Sequence, residues 1–229
     1  MGTGEPRVMV IGAERAPVVV IDDFFSDPGY LIDCAAACTF GPVVNNLYPG
    51  VRAPAPESYV RAVVGRVAPL VYEVFGLTGL TGRTCDFSLV TTRPEQLQLL
   101  QAFPHFDSTD TGRLAVLHYL CPPAMGGTSF YRHRSTGYES ITGDRREPYL
   151  ERLGAELKAS GPIERTYVNG DTPLFERIGI VDAEHNRLVI YRSVTLHSGN
   201  IGRDFEFDSD PRKGRLTLNT FLHFQGESG

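Results

Sequence analysis

The strongest constraint on the fold of this chain is a series of short β-type segments that follows a helix-rich start. The segments are rich in Val, Ile, Leu, Thr and aromatic residues and lie at 85–91, 114–120, 126–133, 175–181, 187–191 and 215–224. Short runs of this composition, bounded by turn residues, are typical of strands. Helices followed by short antiparallel strands predict an α+β domain. We expect its core to be a double-stranded β-helix (jelly roll) with the N-terminal helices packed on one sheet.

The first part of the chain carries clear start and stop signals. The β-branched run at 17–21 predicts a strand. Ser26 or Asp27 caps a predicted helix that has Pro28 in its first turn and ends near residue 38. These signals predict that a strand and then a helix open the domain.

A loop and a second helix are expected next. Residues 41–56 include six Gly or Pro positions, which predicts a loop. The apolar residues of 56–75 keep helical spacing and stop at Gly76, which predicts a long amphipathic helix.

Length and composition fit one domain. The chain has 229 residues, of which 41% are hydrophobic and 21% charged, and it shows no repeat or linker. We therefore expect a single domain over 1–229, with a strand and helices at 17–76 and a jelly-roll core at about 85–224. The polar residues 134–172, with a helix near 148–159, are interpreted as an insertion that covers one end of the sheet. Residues 175–191 are interpreted as a hairpin.

Charge and hydropathy exclude several classes of protein. A net charge of −5 argues against a nucleic-acid-binding protein. No apolar run is long enough to span a bilayer, and Glu14 with Arg15 interrupts any signal-peptide core. We therefore expect a cytoplasmic protein without a membrane partner. Only two of the 22 basic residues, Lys158 and Lys213, are lysines, a bias that favours a GC-rich bacterial source.

Two histidines and one aspartate are candidate metal ligands. His105 and Asp107 are two positions apart on an extended segment, so their side chains point the same way. His197 supplies a second imidazole further along the chain. Two imidazoles and one carboxylate can hold a divalent iron on one face and leave the opposite coordination positions open.

The last predicted strand adds a candidate anion site. Arg215, Thr217 and Asn219 alternate along this strand and share one face. A buried guanidinium beside a metal binds a carboxylate through two parallel hydrogen bonds. The pattern indicates an iron enzyme whose co-substrate is an acid.

The order of these motifs resembles the prolyl 4-hydroxylase-like branch of the Fe(II)/2-oxoglutarate-dependent dioxygenases. The resemblance covers about residues 85–224 and also the Val-Ile-Asp-Asp-Phe-Phe segment near the N-terminus. The motifs follow one another as His105 and Asp107, Gly112-Arg113, Tyr119-Leu120, Gly126-Gly127-Thr128, Val189-Ile190-Tyr191, His197, and Arg215 with Thr217. The stretch from His197 to Arg215 is longer than in many relatives and contains an acidic run.

The resemblance implies a role for each of these residues. His105, Asp107 and His197 would bind Fe(II), which 2-oxoglutarate would chelate. Arg215 would hold the distal carboxylate of 2-oxoglutarate, with Tyr119, Thr217 and Asn219 nearby. O2 would be the second co-substrate, and succinate and carbon dioxide would be released. Relatives that halogenate lack the carboxylate of Asp107, so hydroxylation of an unactivated C–H bond is expected.

The substrate is expected to be a small metabolite, such as an amino acid or a biosynthetic intermediate. Arg132 and Arg134 follow the Gly126-Gly127 turn at the start of the polar insertion. We interpret them as contacts for an anionic group of the substrate, although a solvated surface is the alternative. No sequence feature indicates an oligomeric state.

Two other classes of function remain open at this point. A cupin-like metal dioxygenase that does not use 2-oxoglutarate would need the three metal ligands but not Arg215. A metal-free jelly-roll binding module would need neither, and Arg215 would then be a structural ion-pair partner.

Overall fold

Two antiparallel sheets form the framework of the computed structural model, which describes residues 1–42, 48–161 and 164–225. The strands are β1 (Pro6–Ile11), β2 (Ala16–Ile21), β3 (Gly41–Pro42), β4 (Gly50–Pro54), β5 (Leu80–Val90), β6 (Arg113–Tyr119), β7 (Thr128–His133), β8 (Phe175–Val181), β9 (Leu188–Arg192), β10 (His197–Gly199) and β11 (Leu216–Phe224). The larger sheet has the order β1-β2-β9-β6-β11-β5-β4-β3, and the smaller sheet has the order β10-β7-β8.

Helices α1 (Pro28–Ala36) and α2 (Glu57–Phe75) cover one face of the larger sheet. The predicted signals position them: the Asp27 side chain accepts a hydrogen bond from the backbone N–H of Tyr30, and Gly76 ends α2 in the left-handed region at φ 67°. The buried face of α2 packs on one alternate set of strand side chains, including Phe87, Leu89, Leu114, Val116, Leu188, Ile190, Leu216 and Leu218. Both predicted helices are confirmed.

The opposite face of the larger sheet packs on the smaller sheet. Successive strand side chains point to opposite faces, so the residues between those of the helix layer point inward. They form a second core with residues of the smaller sheet, made of Val18, Val20, Ala115, Leu117, Tyr119, Val189 and Tyr191 on one side and Phe130 and Val181 on the other. The space between the two sheets is therefore closed by apolar packing along part of its length.

A third helix, α3 (Gly143–Ala159), lies within the polar segment 134–172 and begins before its predicted start. Its buried residues Tyr149 and Leu153 pack with Tyr131, Phe175 and Leu196, next to the smaller sheet. No helix of the described ranges has the length and hydropathy needed to cross a membrane.

Two local predictions were wrong, and one strand was not predicted. The predicted loop at 41–56 contains β3 and β4, since backbone pairing with β5 outweighs the Gly and Pro composition; residues 43–47 lie outside the described part. The predicted hairpin at 175–191 does not form, because β8 and β9 belong to different sheets. Strand β1, which pairs with β2 at the edge of the larger sheet and exposes Val8 and Val10, was not predicted.

Candidate metal centre

His105 and His197 lie side by side although they are far apart in sequence. The backbone N–H of His105 donates to the carbonyl oxygen of His197 at 2.9 Å, and the reverse hydrogen bond is 2.8 Å long. This closed antiparallel pair brings the two imidazole centroids to 4.4 Å. Asp107 is held separately, because its backbone N–H donates to the carbonyl of Ser193 at 2.8 Å.

The three predicted ligands meet at one point. Oδ1 of Asp107 lies 3.8 Å from Nε2 of His105, and Oδ2 lies 3.5 Å from Nε2 of His197. One ligand atom from each residue lies within 4.8 Å of the other two, which is compatible with a single ion between them. In the described residues, no arginine or lysine forms an ion pair with the Asp107 carboxylate.

The two imidazoles are prepared to donate lone pairs. Nδ1 of His197 donates to the backbone carbonyl of Thr195 at 2.8 Å, so its Nε2 carries a lone pair directed at the cluster. The Tyr191 ring packs on His197 with centroids 4.8 Å apart and limits its rotation. Burial and the neighbouring His197 lower the pKa of His105 to about 4, so this ring is neutral at physiological pH.

Two imidazoles and one carboxylate are a donor set that suits non-haem Fe(II). The cluster opens into a cavity of about 480 Å³ between the two sheets. Ser198 and Gly199, which follow His197, also line this cavity, and so does Arg215. The three residues therefore fit an iron ion that keeps coordination positions open toward a co-substrate and a substrate.

Arg215 is a buried cation in the same cavity. It is 4% exposed, and its guanidinium donates from Nε to the carbonyl of Gly126 at 3.3 Å and from Nη2 to that of Gly127 at 3.0 Å. Its guanidinium carbon also lies 5.6 Å from the centre of the Tyr119 ring. No carboxylate of residues 1–42, 48–161 or 164–225 forms an ion pair with it. A buried charge without a counter-charge is costly, so the site is complementary to an anion.

The glycine pair is required by this arrangement. Gly126 has φ 74°, and a Cβ there would lie 2.0 Å from the backbone oxygen of Asn200. A Cβ at Gly127 would lie 1.9 Å from the backbone oxygen of Val181, so both positions need glycine for this close backbone approach.

The other predicted cofactor residues lie beside Arg215 with their hydrogen bonds partly satisfied. The Tyr119 hydroxyl is bonded to Oγ1 of Thr128 at 2.6 Å, and burial raises the pKa of Tyr119 to about 12. Thr217 donates to Oδ1 of Asn219 at 2.8 Å. Asn219 lines the cavity, whereas Tyr119 and Thr217 are fully buried.

The predicted substrate contacts Arg132 and Arg134 are outside the cavity lining. Arg132 pairs with Glu139 at 2.5 Å and with Glu176 at 2.9 Å, and Arg134 pairs with Asp171 at 3.3 Å. Both guanidiniums form ion pairs outside this cavity, and a contact with an anionic group of the substrate stays a prediction. A bulge at Phe130/Tyr131 shifts the register of β7 just before Arg132.

Two charged residues of the cavity were not singled out in the sequence. Arg52 on β4 and Asp86 on β5 both line it. The signal for Asp86 was the alternation of 85–91, which places it on the face opposite Phe87. The signal for Arg52 was hidden, because β4 was interpreted as part of a loop.

Comparisons with known proteins agree with the fold. The profile of a family of unknown function, DUF6445, matches residues 3–222. No curated protein matches the chain. Among solved structures, HygX from Streptomyces hygroscopicus with nickel and 2-oxoglutarate bound is 12% identical, with a TM-score of 0.52 over 93% of this chain and 84% of that one. The non-haem α-ketoglutarate-dependent epimerase SnoN from nogalamycin biosynthesis is 13% identical, with a TM-score of 0.50 over 92% and 79%. The chain therefore has the fold of Fe(II)/2-oxoglutarate-dependent oxygenases.

Proposed function

This chain belongs to DUF6445, a family of unknown function, and we propose that it is a non-haem Fe(II)- and 2-oxoglutarate-dependent oxygenase. One observation carries the proposal: three convergent metal-binding side chains and a buried arginine without an acidic partner among the described residues line the same cavity. The metal cluster alone fits many metalloproteins. Arg215 favours a metal enzyme with an acidic co-substrate over other metalloproteins, since it provides a site for a carboxylate next to the metal.

His105, Asp107 and His197 are the proposed iron ligands. With iron bound there, the metal supplies O2 activation coupled to conversion of 2-oxoglutarate into succinate and carbon dioxide, which oxidises a C–H bond. The protein supplies the orientation: the Thr195 carbonyl fixes the tautomer of His197, and the backbone pair between the histidines fixes their separation. Asp107 occupies the third ligand position with a carboxylate, which favours hydroxylation over halogenation.

Arg215 is the proposed anchor for the distal carboxylate of 2-oxoglutarate. Its Nε and Nη2 are already directed to the Gly126 and Gly127 carbonyls, which hold the guanidinium plane in place. The remaining N–H groups are the donors for the incoming carboxylate. Thr217 and Asn219, which are hydrogen-bonded to each other, lie just after Arg215 on β11. HygX, which shares this fold, is described with 2-oxoglutarate bound and supports the assignment.

The two sheets are proposed to be the two faces of a double-stranded β-helix, with the metal between them. Such a cavity of about 480 Å³ is large enough for 2-oxoglutarate and a small molecule but not for a folded protein. The proposed substrate is therefore a small metabolite, and the proposed outcome is hydroxylation. HygX is also described with hygromycin B, a small molecule, which supports this size class.

Anaerobic addition of Fe(II) and 2-oxoglutarate tests the proposal. Chelation of the metal by the oxo-acid should produce a weak visible charge-transfer band in the wild-type protein. The band should be absent in His197→Ala and require much more 2-oxoglutarate in Arg215→Ala. Iron binding without any band would instead favour a metal dioxygenase that does not use 2-oxoglutarate. Failure to bind iron would favour a metal-free binding module.

A further inference from the structure

A second polar subsite lies on the larger sheet, in the same cavity as the metal cluster. Arg52, Asp86 and Asn219 stand on the neighbouring strands β4, β5 and β11. Arg52 is paired in register with Ser88, and Asp86 is paired with both Pro54 and Asn219. Adjacent strands are about 4.8 Å apart, so diagonal neighbours on one face are within side-chain reach.

All three side chains face the cavity and not the helices. Their sequence neighbours Ala53, Phe87 and Leu218 belong to the core beneath α1 and α2. Alternation along each strand then turns the three polar residues to the opposite face, and each of them lines the cavity.

Arg52 forms no ion pair with a carboxylate in the described part of the chain. Its guanidinium carbon lies 4.8 Å from the centre of the Tyr48 ring, and its Nε is buried without a hydrogen-bond partner. Two arginines outside the cavity lining, Arg132 and Arg187, each have a carboxylate at 2.5 Å instead. An arginine kept in a cavity with open donors is a site for an anionic group.

Asp86 provides the opposite charge but does not pair with Arg52. Burial raises the pKa of Asp86 above its ordinary value, and the positive charge of Arg52 opposes part of this rise. No ion pair within 4.0 Å joins them in the residues that the structure describes. Asn219, which lines the cavity, accepts from Thr217 through Oδ1, and its amide N–H groups form no hydrogen bond with the described residues. The subsite therefore offers a cation and an anion, held apart, with an amide donor beside them.

We propose that the substrate is a small zwitterion of the amino-acid class, whose carboxylate binds Arg52 and whose ammonium group faces Asp86. The inference rests on the proposed function in one respect: Arg215 is reserved for the co-substrate, so Arg52 is free for the substrate. Two separated charges of opposite sign bind a molecule that carries both charges better than a molecule that carries either alone. The subsite thus selects the substrate and sets which end of it points to the metal.

Calorimetric titration of individual amino acids into the protein loaded with Ni(II) and 2-oxoglutarate tests the inference without turnover. The common L-amino acids are titrated one by one, and at least one should bind with a dissociation constant of about 1 mM or tighter. For that compound, the analogue without the amino group and the analogue without the carboxylate should each bind about tenfold more weakly or worse. Thermal unfolding of the loaded protein should follow the same order.

Variants assign the two charges. Arg52→Gln should weaken binding of the amino acid about tenfold or more, and the analogue without the carboxylate should then bind about as well as the amino acid. Asp86→Asn should also weaken binding of the amino acid, and the analogue without the amino group should then bind about as well. The matched control is Arg61→Gln, an exposed arginine on α2 with a 66% exposed side chain, which should change nothing.

Three results would overturn the inference. The first is that no amino acid binds the wild-type protein. The second is that the deaminated and decarboxylated analogues bind as well as the parent amino acid. The third is that Arg52→Gln weakens binding of 2-oxoglutarate and leaves binding of the amino acid unchanged. The last result would assign Arg52 to the co-substrate. Failure of the proposed function is seen separately, as absence of the Fe(II)–2-oxoglutarate band, and amino-acid binding is then measured by the same titration into the protein without Ni(II) and 2-oxoglutarate.

Discussion

His105 and His197 are joined by a reciprocal pair of backbone hydrogen bonds of 2.9 and 2.8 Å, and their imidazole centroids lie 4.4 Å apart. The pairing makes the distance between the two rings a property of the backbone rather than of flexible side chains. Asp107 joins them from the next alternate position of the same segment. A site built on backbone pairing holds its ligands in place before a metal arrives.

The metal ligands give the first prediction. His197→Ala should lower the affinity for Fe(II) at least about a hundredfold, because one of three ligands is removed. Its circular dichroism spectrum should be unchanged, since the backbone pair with His105 does not involve the ring. Iron content after anaerobic gel filtration measures the effect. His185→Ala, in an exposed turn, is the control and should bind iron normally. Stoichiometric iron in His197→Ala would contradict the assignment.

Arg215 gives the second prediction. Arg215→Ala should raise the concentration of 2-oxoglutarate needed for half of the visible band about tenfold to a hundredfold, since a charge-assisted hydrogen bond contributes about 1.5–3 kcal/mol. Arg215→Lys should recover only part of the loss, because an ammonium lacks the planar fork. Fe(II) binding without 2-oxoglutarate should be the same in all three proteins. An unchanged 2-oxoglutarate requirement would identify a different anchor.

Arg132 gives a prediction about stability in place of substrate binding. The Glu139 carboxylate is nearly buried and accepts hydrogen bonds from Arg132 and from the backbone N–H groups of Ala13 and Glu14. Arg132→Gln should lower the free energy of unfolding by about 1–3 kcal/mol at pH 7, since it leaves a buried carboxylate without its cation. Urea unfolding measures the change. Arg134→Gln, whose partner is exposed, should change it by less than about 0.5 kcal/mol.

The effect of Arg132→Gln should depend on pH. Burial raises the pKa of Glu139, but the hydrogen bonds from Glu14, Ala13 and Arg132 outweigh it and leave the pKa below its ordinary value of 4.5. A carboxylate with a lowered pKa contributes stability above its unfolded pKa and loses it as pH falls through the folded pKa. The difference between variant and wild type should therefore shrink below pH 4.5. A constant difference would mean that Arg132 acts through packing alone.

His118 gives a prediction on the other side of the larger sheet. Asn186 Oδ1 accepts from the backbone of Phe25 and from Nε2 of His118, so Nδ1 of His118 accepts from the Tyr59 hydroxyl. Burial lowers the pKa of His118 to about 4, against an ordinary value of 6.5. As pH falls, the ring takes up a proton in the unfolded chain before it does so in the folded chain. The free energy of unfolding should therefore fall by up to about 3 kcal/mol from pH 6.5 to pH 4. An NMR titration of the ring that gives a pKa near 6.5 would contradict this.

The metal cluster could be predicted from sequence because it depends on local rules. Alternation along an extended segment places His105 and Asp107 on one side, and the order of the motifs selects His197 as the third ligand. The helices were predictable for the same reason, since Asp27 and Gly76 satisfy their ends locally. Arg215 was also identified from its strand position, but only the structure shows that it is buried without a described carboxylate partner.

The charges around the cavity were decided by tertiary contacts. No local sequence pattern indicates which arginine forms an ion pair with a carboxylate. Among the described residues, Arg132 does so, and Arg52 and Arg215 do not. Glu176 meets Arg132 because β8 pairs with β7, whereas Arg52 enters the cavity because β4 pairs with β5. Side-chain alternation along a strand depends on neighbouring residues, so the sequence alone determined it. Whether a charged side chain is buried, and whether it meets a carboxylate, depends on residues distant in sequence. Only the packing of the two sheets decided these two properties.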